Sequence, residues 1–421
     1  MAAGSLSMNM RRCRRPNNSE CDEGGAMRFI NDQIRYAFFL PFLAACVLGF
    51  FLLSLTPESD RSTEAAAQAR RVNWRLEKTT GDNPSARGGG KWVAIGHKLI
   101  MFGGFYECFD KDKCEHTYFD DVHILDAATN RWEKRIPTSP TGVLPGKRVF
   151  LGAAAYKKKN TAVFFGGAEY NAKVTAYQAY GDLWEYDLAA NTMVKRSYAN
   201  EGPSPRLGAE IVVTGDTLYL LGGYDQSFKA HNELWSYDLV ANTWKQLRKD
   251  NDPTSPSKRY IFRFELSPSE EDIYIFGGNY REKFTIQRSD TWKYNIAANT
   301  FTEIVSERKT NITGRTHGAC AFAGDTFLIA LGDIPSGGCF TNQDSEHQNP
   351  TNEVWKLRAG SSQWARVKIG FGPPPLKRMY YATAGDRLYV THGFDYKCDK
   401  PGAEGPVYNL NTYSLSLRQV Q

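Results

Sequence analysis

An all-β ring of six four-stranded blades, closed by an N-terminal strand and preceded by one membrane-spanning helix, is the fold class that this sequence predicts. Three observations predict it: a glycine pair recurring at a near-constant interval, a strand–turn–strand pattern downstream of each pair, and an uncharged apolar run near the N-terminus. The composition agrees, because 22 Tyr, 24 Phe and 9 Trp among 421 residues favour strands over helices. Apolar residues at 41% and charged residues at 23% suit a globular chain rather than a disordered one. The net charge of +6 is small and spread along the chain, which does not point to nucleic acid. Eight cysteines in a chain of this length are not a disulfide scaffold, so a packed core must carry the stability.

The apolar run extends from Tyr36 to Leu55 without a charged residue. At about 1.5 Å of rise per residue it crosses a hydrocarbon core roughly 30 Å thick. A cleaved signal peptide is the competing reading, but its apolar stretch is normally about 7–15 residues behind a short leader. Arg11, Arg12, Arg14, Arg15, Arg28 and Arg35 precede the run, whereas Glu58, Asp60 and Glu64 follow it, with Arg61 the one basic residue before Arg70 and Arg71. Basic residues stay in the cytosol. The expected order is a cytosolic basic tail (1–35), a transmembrane helix (36–55), a stem linker (56–71) and a propeller (72–421) that is luminal or extracellular.

The glycine pairs are Gly103-Gly104, Gly166-Gly167, Gly222-Gly223 and Gly277-Gly278, with degenerate copies at Leu331-Gly332-Asp333 and Thr391-His392-Gly393. Counted from 103, 166, 222, 277, 332 and 392, the steps are 63, 56, 55, 55 and 60 residues. Downstream come 121–132, 182–193, 233–244, 290–301 and 353–364, where apolar and polar positions alternate around a turn of the Ala-Ala-Asn-Thr kind. That is a strand, a tight turn and a strand. Upstream of the third pair, 210–223 reads as a hairpin turning at Thr214-Gly215-Asp216. Each repeat is therefore a four-stranded antiparallel meander. The last repeat stops after its third strand, Asn411–Leu417, while Val72–Leu76 resembles an outermost strand without a blade. Pairing the two closes the ring and removes its open edges.

The double glycine, the spaced Tyr or Trp and the turn before the last Trp, occurring together six times, resemble the kelch-repeat family over about residues 73–421. The resemblance implies a rigid ring whose function sits in its loops. With strands lettered a to d from the channel outward, the b–c loops and d–a connections share one face. The b–c loops of blades one (105–120), two (168–181), five (333–352) and six (394–410) are long, and those of three and four are short. Loop variation on a rigid frame is where binding is expected.

A basic residue recurs before strand a: Arg87, Arg148, Arg206, Arg259, Arg315 and Arg378. Six guanidinium groups at the channel mouth would form an electropositive funnel for a carboxylate, sulfate or phosphate. The structural alternative is that each arginine hydrogen-bonds carbonyls of its own or the next blade. Cys108, Cys114, Cys339 and Cys398 all fall in b–c loops, and outside the cytosol such residues pair. Cys108 with Cys114 and Cys339 with Cys398 is the expected pairing, although four cysteines allow three connectivities. Cys320 reads as a small core residue. Glu107, Asp110, Asp112, Glu115, His116, Asp344, Glu346, His347, His392 and Asp395 lie in contiguous blades, but their spacing matches no zinc or calcium signature, and no metal or other cofactor is expected. Asn311 heads the one glycosylation sequon of the propeller.

These features lead to a membrane-anchored recognition module that binds a protein or an anionic glycan through its b–c loop face. The alternative is a luminal carbohydrate-modifying enzyme of the epimerase kind, or its accessory subunit, which rests on fold analogy alone. No galactose-oxidase-like or nitrile-specifier-like ligand set is present, and the extra domain of kelch ubiquitin-ligase adaptors is absent from the sequence.

Overall fold

The computed structural model describes residues 71–108, 115–171, 176–281, 285–335, 349–395 and 407–421. The predicted transmembrane segment, 36–55, lies outside them. Among the described residues no helix is long and apolar enough to cross a membrane.

Six four-stranded meanders follow one another. Blade one is Lys91–Ile95, Lys98–Phe102, Val122–Asp126 and Arg131–Arg135. Blade two is Gly152–Tyr156, Thr161–Phe165, Leu183–Asp187 and Thr192–Lys195. Blade three is Arg206–Thr214, Thr217–Asp225, Leu234–Asp238 and Thr243–Arg248. Blade four is Arg263–Leu266, Asp272–Phe276, Thr291–Asn295 and Thr300–Val305. Blade five is Ala319–Ala323, Thr326–Ala330, Val354–Leu357 and Ala365–Val367.

Blade six takes Tyr380–Ala384, Arg387–Thr391 and Thr412–Ser416 from the C-terminal end, and its outer strand is Arg75–Glu77. The closing register is Arg75 to Ser414, Leu76 to Tyr413 and Glu77 to Thr412. The expected closing strand, Val72–Leu76, is shifted. Val72 instead forms a parallel bridge to Ile369, and the Trp74 N–H donates to the Phe371 carbonyl at 2.8 Å. The chain thus grips blade five's exit segment before it enters blade six.

The recurrent turn has a local cause. Asn130, Asn191, Asn242 and Asn299 adopt φ of 54°, 52°, 58° and 52°, a left-handed conformation that Asn tolerates. The Tyr186, Tyr237 and Tyr294 hydroxyls donate to the side-chain oxygen of the Asn five residues on, at 2.8, 2.8 and 2.7 Å. Between blades the cores are continuous apolar layers. Val93, Ile100, Phe102 and Val122 of blade one pack on Ala162, Phe164, Trp184 and Tyr186 of blade two. The Trp residues fill these layers, as expected for large apolar side chains.

The glycine pairs join neighbouring blades. The second N–H of each donates to a carbonyl of the next blade: Gly104 to Arg148 and Gly167 to Arg206 at 2.9 Å, Gly223 to Arg259 at 2.9 Å, Gly278 to Arg315 at 3.0 Å, Gly332 to Leu376 at 2.9 Å, and Gly393 back to Arg87 at 3.0 Å. A Cβ on Gly277 would meet the Arg315 carbonyl at 2.5 Å, which explains why the first position is also glycine there. These bonds correct the register of the fifth copy. Gly332 is the second member of its pair, so the first is Leu331 (φ 60°), as His392 (φ 55°) is in blade six. The b–c segment of blade four, short by sequence, still forms a hairpin of Asn279–Arg281 with Thr285–Gln287.

Candidate binding site

The arginine ring is a set of clamps. Arg87, Arg148, Arg206, Arg259 and Arg315 are all 2% exposed or less. Each pairs with the acidic residue that opens strand c of its own blade: Asp121, Asp182, Glu233, Asp290 and Glu353. Four also donate to the carbonyl of the first residue of their own glycine pair, Arg148 to Gly166 at 3.1 Å, Arg206 to Gly222 at 3.1 Å, Arg259 to Gly277 at 3.0 Å and Arg315 to Leu331 at 3.4 Å. Trp184, Trp292 and Trp355 add indole N–H bonds to the same carboxylates at 2.7, 2.8 and 2.9 Å. Burial alone would raise the Asp290 pKa, but the Arg259 charge and its hydrogen bonds outweigh burial and hold it below the usual carboxylate range. These guanidinium groups face carboxylates and carbonyls of the protein rather than an open funnel.

Blade six breaks the set, which corrects the sixth member of the predicted ring. Leu376 takes the arginine position and accepts the inter-blade bond from Gly332. Asn411, exposed, takes the carboxylate position. Both partners are replaced together, as expected when one left alone would be a buried unpaired charge. The buried pair in this region is Lys377 with Asp333, Nζ to Oδ2 at 3.0 Å.

Arg378 belongs to a different ring. Gly89, Phe150, Gly208, Ile261, His317 and Arg378 each sit two residues beyond the arginine position, with φ of 74°, 53°, 67°, 53°, 52° and 56°. They link neighbouring blades through main-chain bonds: Phe150 N–H to Gly89 at 2.7 Å, Gly208 to Phe150 at 2.7 Å, Ile261 to Gly208 at 2.8 Å and Gly89 to Arg378 at 2.8 Å. A left-handed β-branched residue such as Ile261 is strained, and strain of this kind gathers at functional sites. Arg378 lies between the rings of Phe105, Phe150 and Phe394, 5.2, 5.3 and 5.5 Å from their centres. It pairs with Glu107 at 2.5 Å.

Around this mouth runs a belt of aromatic rings from the b–c segments and, at Tyr260, the connection into blade four; Tyr118, Tyr177, Tyr260 and Phe394 are buried and Tyr106, Tyr170, Tyr224 and Tyr408 half-buried. Successive centre-to-centre distances are 5.1 Å for Phe394–Tyr408, 4.9 Å for Tyr408–Tyr106, 6.3 Å for Tyr118–Tyr170, 5.3 Å for Tyr170–Tyr177, 5.9 Å for Tyr177–Tyr224 and 4.6 Å for Tyr224–Tyr260. The belt therefore spans blades six, one, two, three and four. Phe228, 67% exposed with φ 60°, stands on it against Tyr177 and Tyr224.

Below the mouth, strand a of the blades and the left-handed ring line an open cavity of about 360 Å³. Lys91 donates to Glu210 Oε2 at 2.5 Å, and Arg263 donates to Glu210 Oε1 at 3.3 Å and to the Tyr381 hydroxyl at 2.9 Å. The Cys320 thiol donates to Glu265 Oε2 at 3.3 Å. Burial raises the Glu265 pKa to about 7. Burial, reinforced by Glu265, also pushes the Cys320 thiol far up, which makes it a poor nucleophile.

A glycine-pair link, an Arg–carboxylate clamp and an Asn turn recurring in antiparallel four-stranded blades decide the family of the fold. It is a kelch-repeat propeller. The KLHDC2/KLHL20/DRC7 Kelch-repeats domain matches residues 58–267. The chain is 23% identical to Kelch domain-containing protein 3 of Bos taurus over 320 residues, 72% of this chain and 76% of that protein. It is 23% identical to Kelch domain-containing protein 10 of Bos taurus over 326 residues, 74% of this chain and 66% of that protein. It is also 28% identical to Acyl-CoA-binding domain-containing protein 5 of Arabidopsis thaliana over 208 residues, 49% of this chain and 29% of that protein.

The other predicted site residues sort as follows. Cys114, Cys339 and Cys398 lie outside the described residues, as do Asp110, Asp112, Asp344, Glu346 and His347. Cys108 is buried, its N–H 3.3 Å from His116 Nδ1, and Cys320 is the free cysteine among the described residues. His392 faces the Pro84 carbonyl at 3.2 Å, and burial lowers its pKa to about 4. Asn311 grips the Trp364 backbone, Nδ2 to O at 2.7 Å and N to Oδ1 at 3.1 Å, as Asn200 grips Trp244. The clamps were legible in part, since an acidic residue opens every strand-c segment but the last and an arginine recurs at the start of every blade, the last of them, Arg378, two positions late. The aromatic belt and the left-handed ring had no sequence signal, because their members are far apart in the chain.

Proposed function

We propose that the chain is a membrane-tethered recognition module that binds a protein partner across its b–c loop face. The half-buried rings of Tyr106, Tyr170, Tyr224 and Tyr408 around the channel mouth, with exposed Phe228 standing over them, carry this reading. Aromatic side chains supply large contact area at low entropic cost and dominate binding hot spots. Kelch propellers generally bind protein partners, which supports a protein ligand over a glycan. The apolar run 36–55 is the tether, with the basic tail cytosolic and the propeller luminal or extracellular. In that compartment the loop cysteines pair and Asn311 is open to glycosylation, since its Trp364 bond uses one of two amide hydrogens.

Proximity labelling from the full chain tests the binding face. Phe228→Asp on the b–c face should lose the proteins that the unaltered chain captures. Val240→Asp, equally exposed in a c–d turn of the opposite face, should keep them. The reverse pattern rejects the assignment. Protease protection in sealed vesicles, with glycosidase treatment read at Asn311, tests the orientation.

A further inference from the structure

The cavity beneath the mouth is richer in hydrogen-bond donors than in acceptors. Glu210 has both oxygens engaged, one by Lys91 and one by Arg263, and the second carboxylate of the cavity, Glu265, accepts from the Cys320 thiol. Arg263 Nε and His317 Nε2 are buried and have no partner among the described residues, although both residues line the cavity and are 5% exposed. His317 Nδ1 is 2.9 Å from the Thr316 hydroxyl. With that hydroxyl donating to Nδ1, the ring proton sits on Nε2 and is offered to the cavity. His317 stays neutral because burial first, and then the charges of Lys377, Arg378, Arg263 and Lys91, oppose its protonation. At the His317 ring these charges sum to a positive field, although Lys377 and Arg378 are themselves paired with Asp333 and Glu107. Buried donors of this kind require an acceptor, and a field of this sign favours an anionic one.

We propose that the channel binds a small oxyanion, a carboxylate or phosphate carried by a diffusible small molecule, between Lys91, Arg263 Nε and His317 Nε2. Its volume lies near the lower end of the range for small-molecule pockets. The walls supplied by Trp92, Phe150 and Phe264 would cover the apolar part of such a molecule. This site is separate from the loop face proposed above, being built from strand a and the left-handed residues just before it rather than from b–c loops.

The test uses the full chain in detergent micelles, titrated with inorganic phosphate and with succinate. Chloride at matched ionic strength removes general screening from the comparison. Saturable binding of one or both probes is expected, and the responding probe distinguishes phosphate from carboxylate. Lys91→Met and His317→Asn should each weaken binding at least tenfold; Asn suits the left-handed backbone at 317. Phe228→Asp should leave the affinity unchanged, which separates failure of this site from failure of the loop face. Responses no larger than chloride's, or saturable binding that neither channel variant weakens, would overturn the proposal.

Discussion

Arg259 and Asp290 meet through a two-pronged ion pair, Nη1 to Oδ1 at 2.8 Å and Nη2 to Oδ2 at 2.7 Å, with neither side chain in water. The pair fastens the start of strand a to the start of strand c, and Nη1 also reaches the Gly277 carbonyl at 3.0 Å. Asp290→Ala should destabilise the propeller by about 3–5 kcal/mol, since it leaves a buried guanidinium unpaired. Arg259→Leu with Asp290→Asn, the combination found at Leu376 and Asn411 of blade six, should recover much of that loss. Chemical denaturation of the three proteins checks it, and additive losses would sink the clamp account.

Glu265 makes stability depend on pH. Its folded pKa, raised by burial to about 7, lies above the ordinary carboxylate value, so the folded state binds the proton more tightly than the unfolded one. Its contribution is therefore most favourable below the ordinary carboxylate pKa and declines as pH rises toward 7. Glu265→Gln should raise the melting temperature at pH 8 and change it little at pH 5. An equal effect at both pH values would place the carboxylate elsewhere.

Glycines with positive φ should differ in how they tolerate a methyl group. Gly277 and Gly215 have φ of 70° and 56°, but a Cβ meets the Arg315 carbonyl at 2.5 Å in the first and nothing within 4 Å in the second. Gly215→Ala should cost about 1–2 kcal/mol, the backbone strain alone. Gly277→Ala should cost clearly more, because the joint between blades four and five must open. Comparable melting temperatures would show that the joint is compliant.

Trp74, 3% exposed, anchors the closing segment. Trp74→Ala should cost about 3–5 kcal/mol, as large-to-small changes in cores do. Hydrogen exchange should accelerate first in Thr412–Ser416, the strand that the closing segment covers. Uniform acceleration throughout the ring would argue against local opening at the seam.

Much of the fold was readable because its causes are local. Glycine pairs, the left-handed Asn of each c–d turn and the alternation within strands act over a few residues and repeat with the blade. The closing strand was also readable, as a strand with no blade at one end and a blade lacking a strand at the other. What failed was register. Counting basic residues placed Arg378 as the sixth member of the channel-mouth ring, whereas the Gly332 N–H, bonded to the Leu376 carbonyl, places it two positions later.

By itself the sequence determined the blade number, the order of strands, the closure and the apolar run of residues 36–55, since each follows from short-range pattern and composition. Tertiary structure alone decided that five arginines are clamps, that Arg378 stands among three phenylalanines, and that Lys91, Arg263 and His317 share one cavity. Closing a ring brings together residues hundreds of positions apart. Whether a charge then meets a carboxylate, an aromatic ring or an open chamber depends on a register that no local pattern encodes.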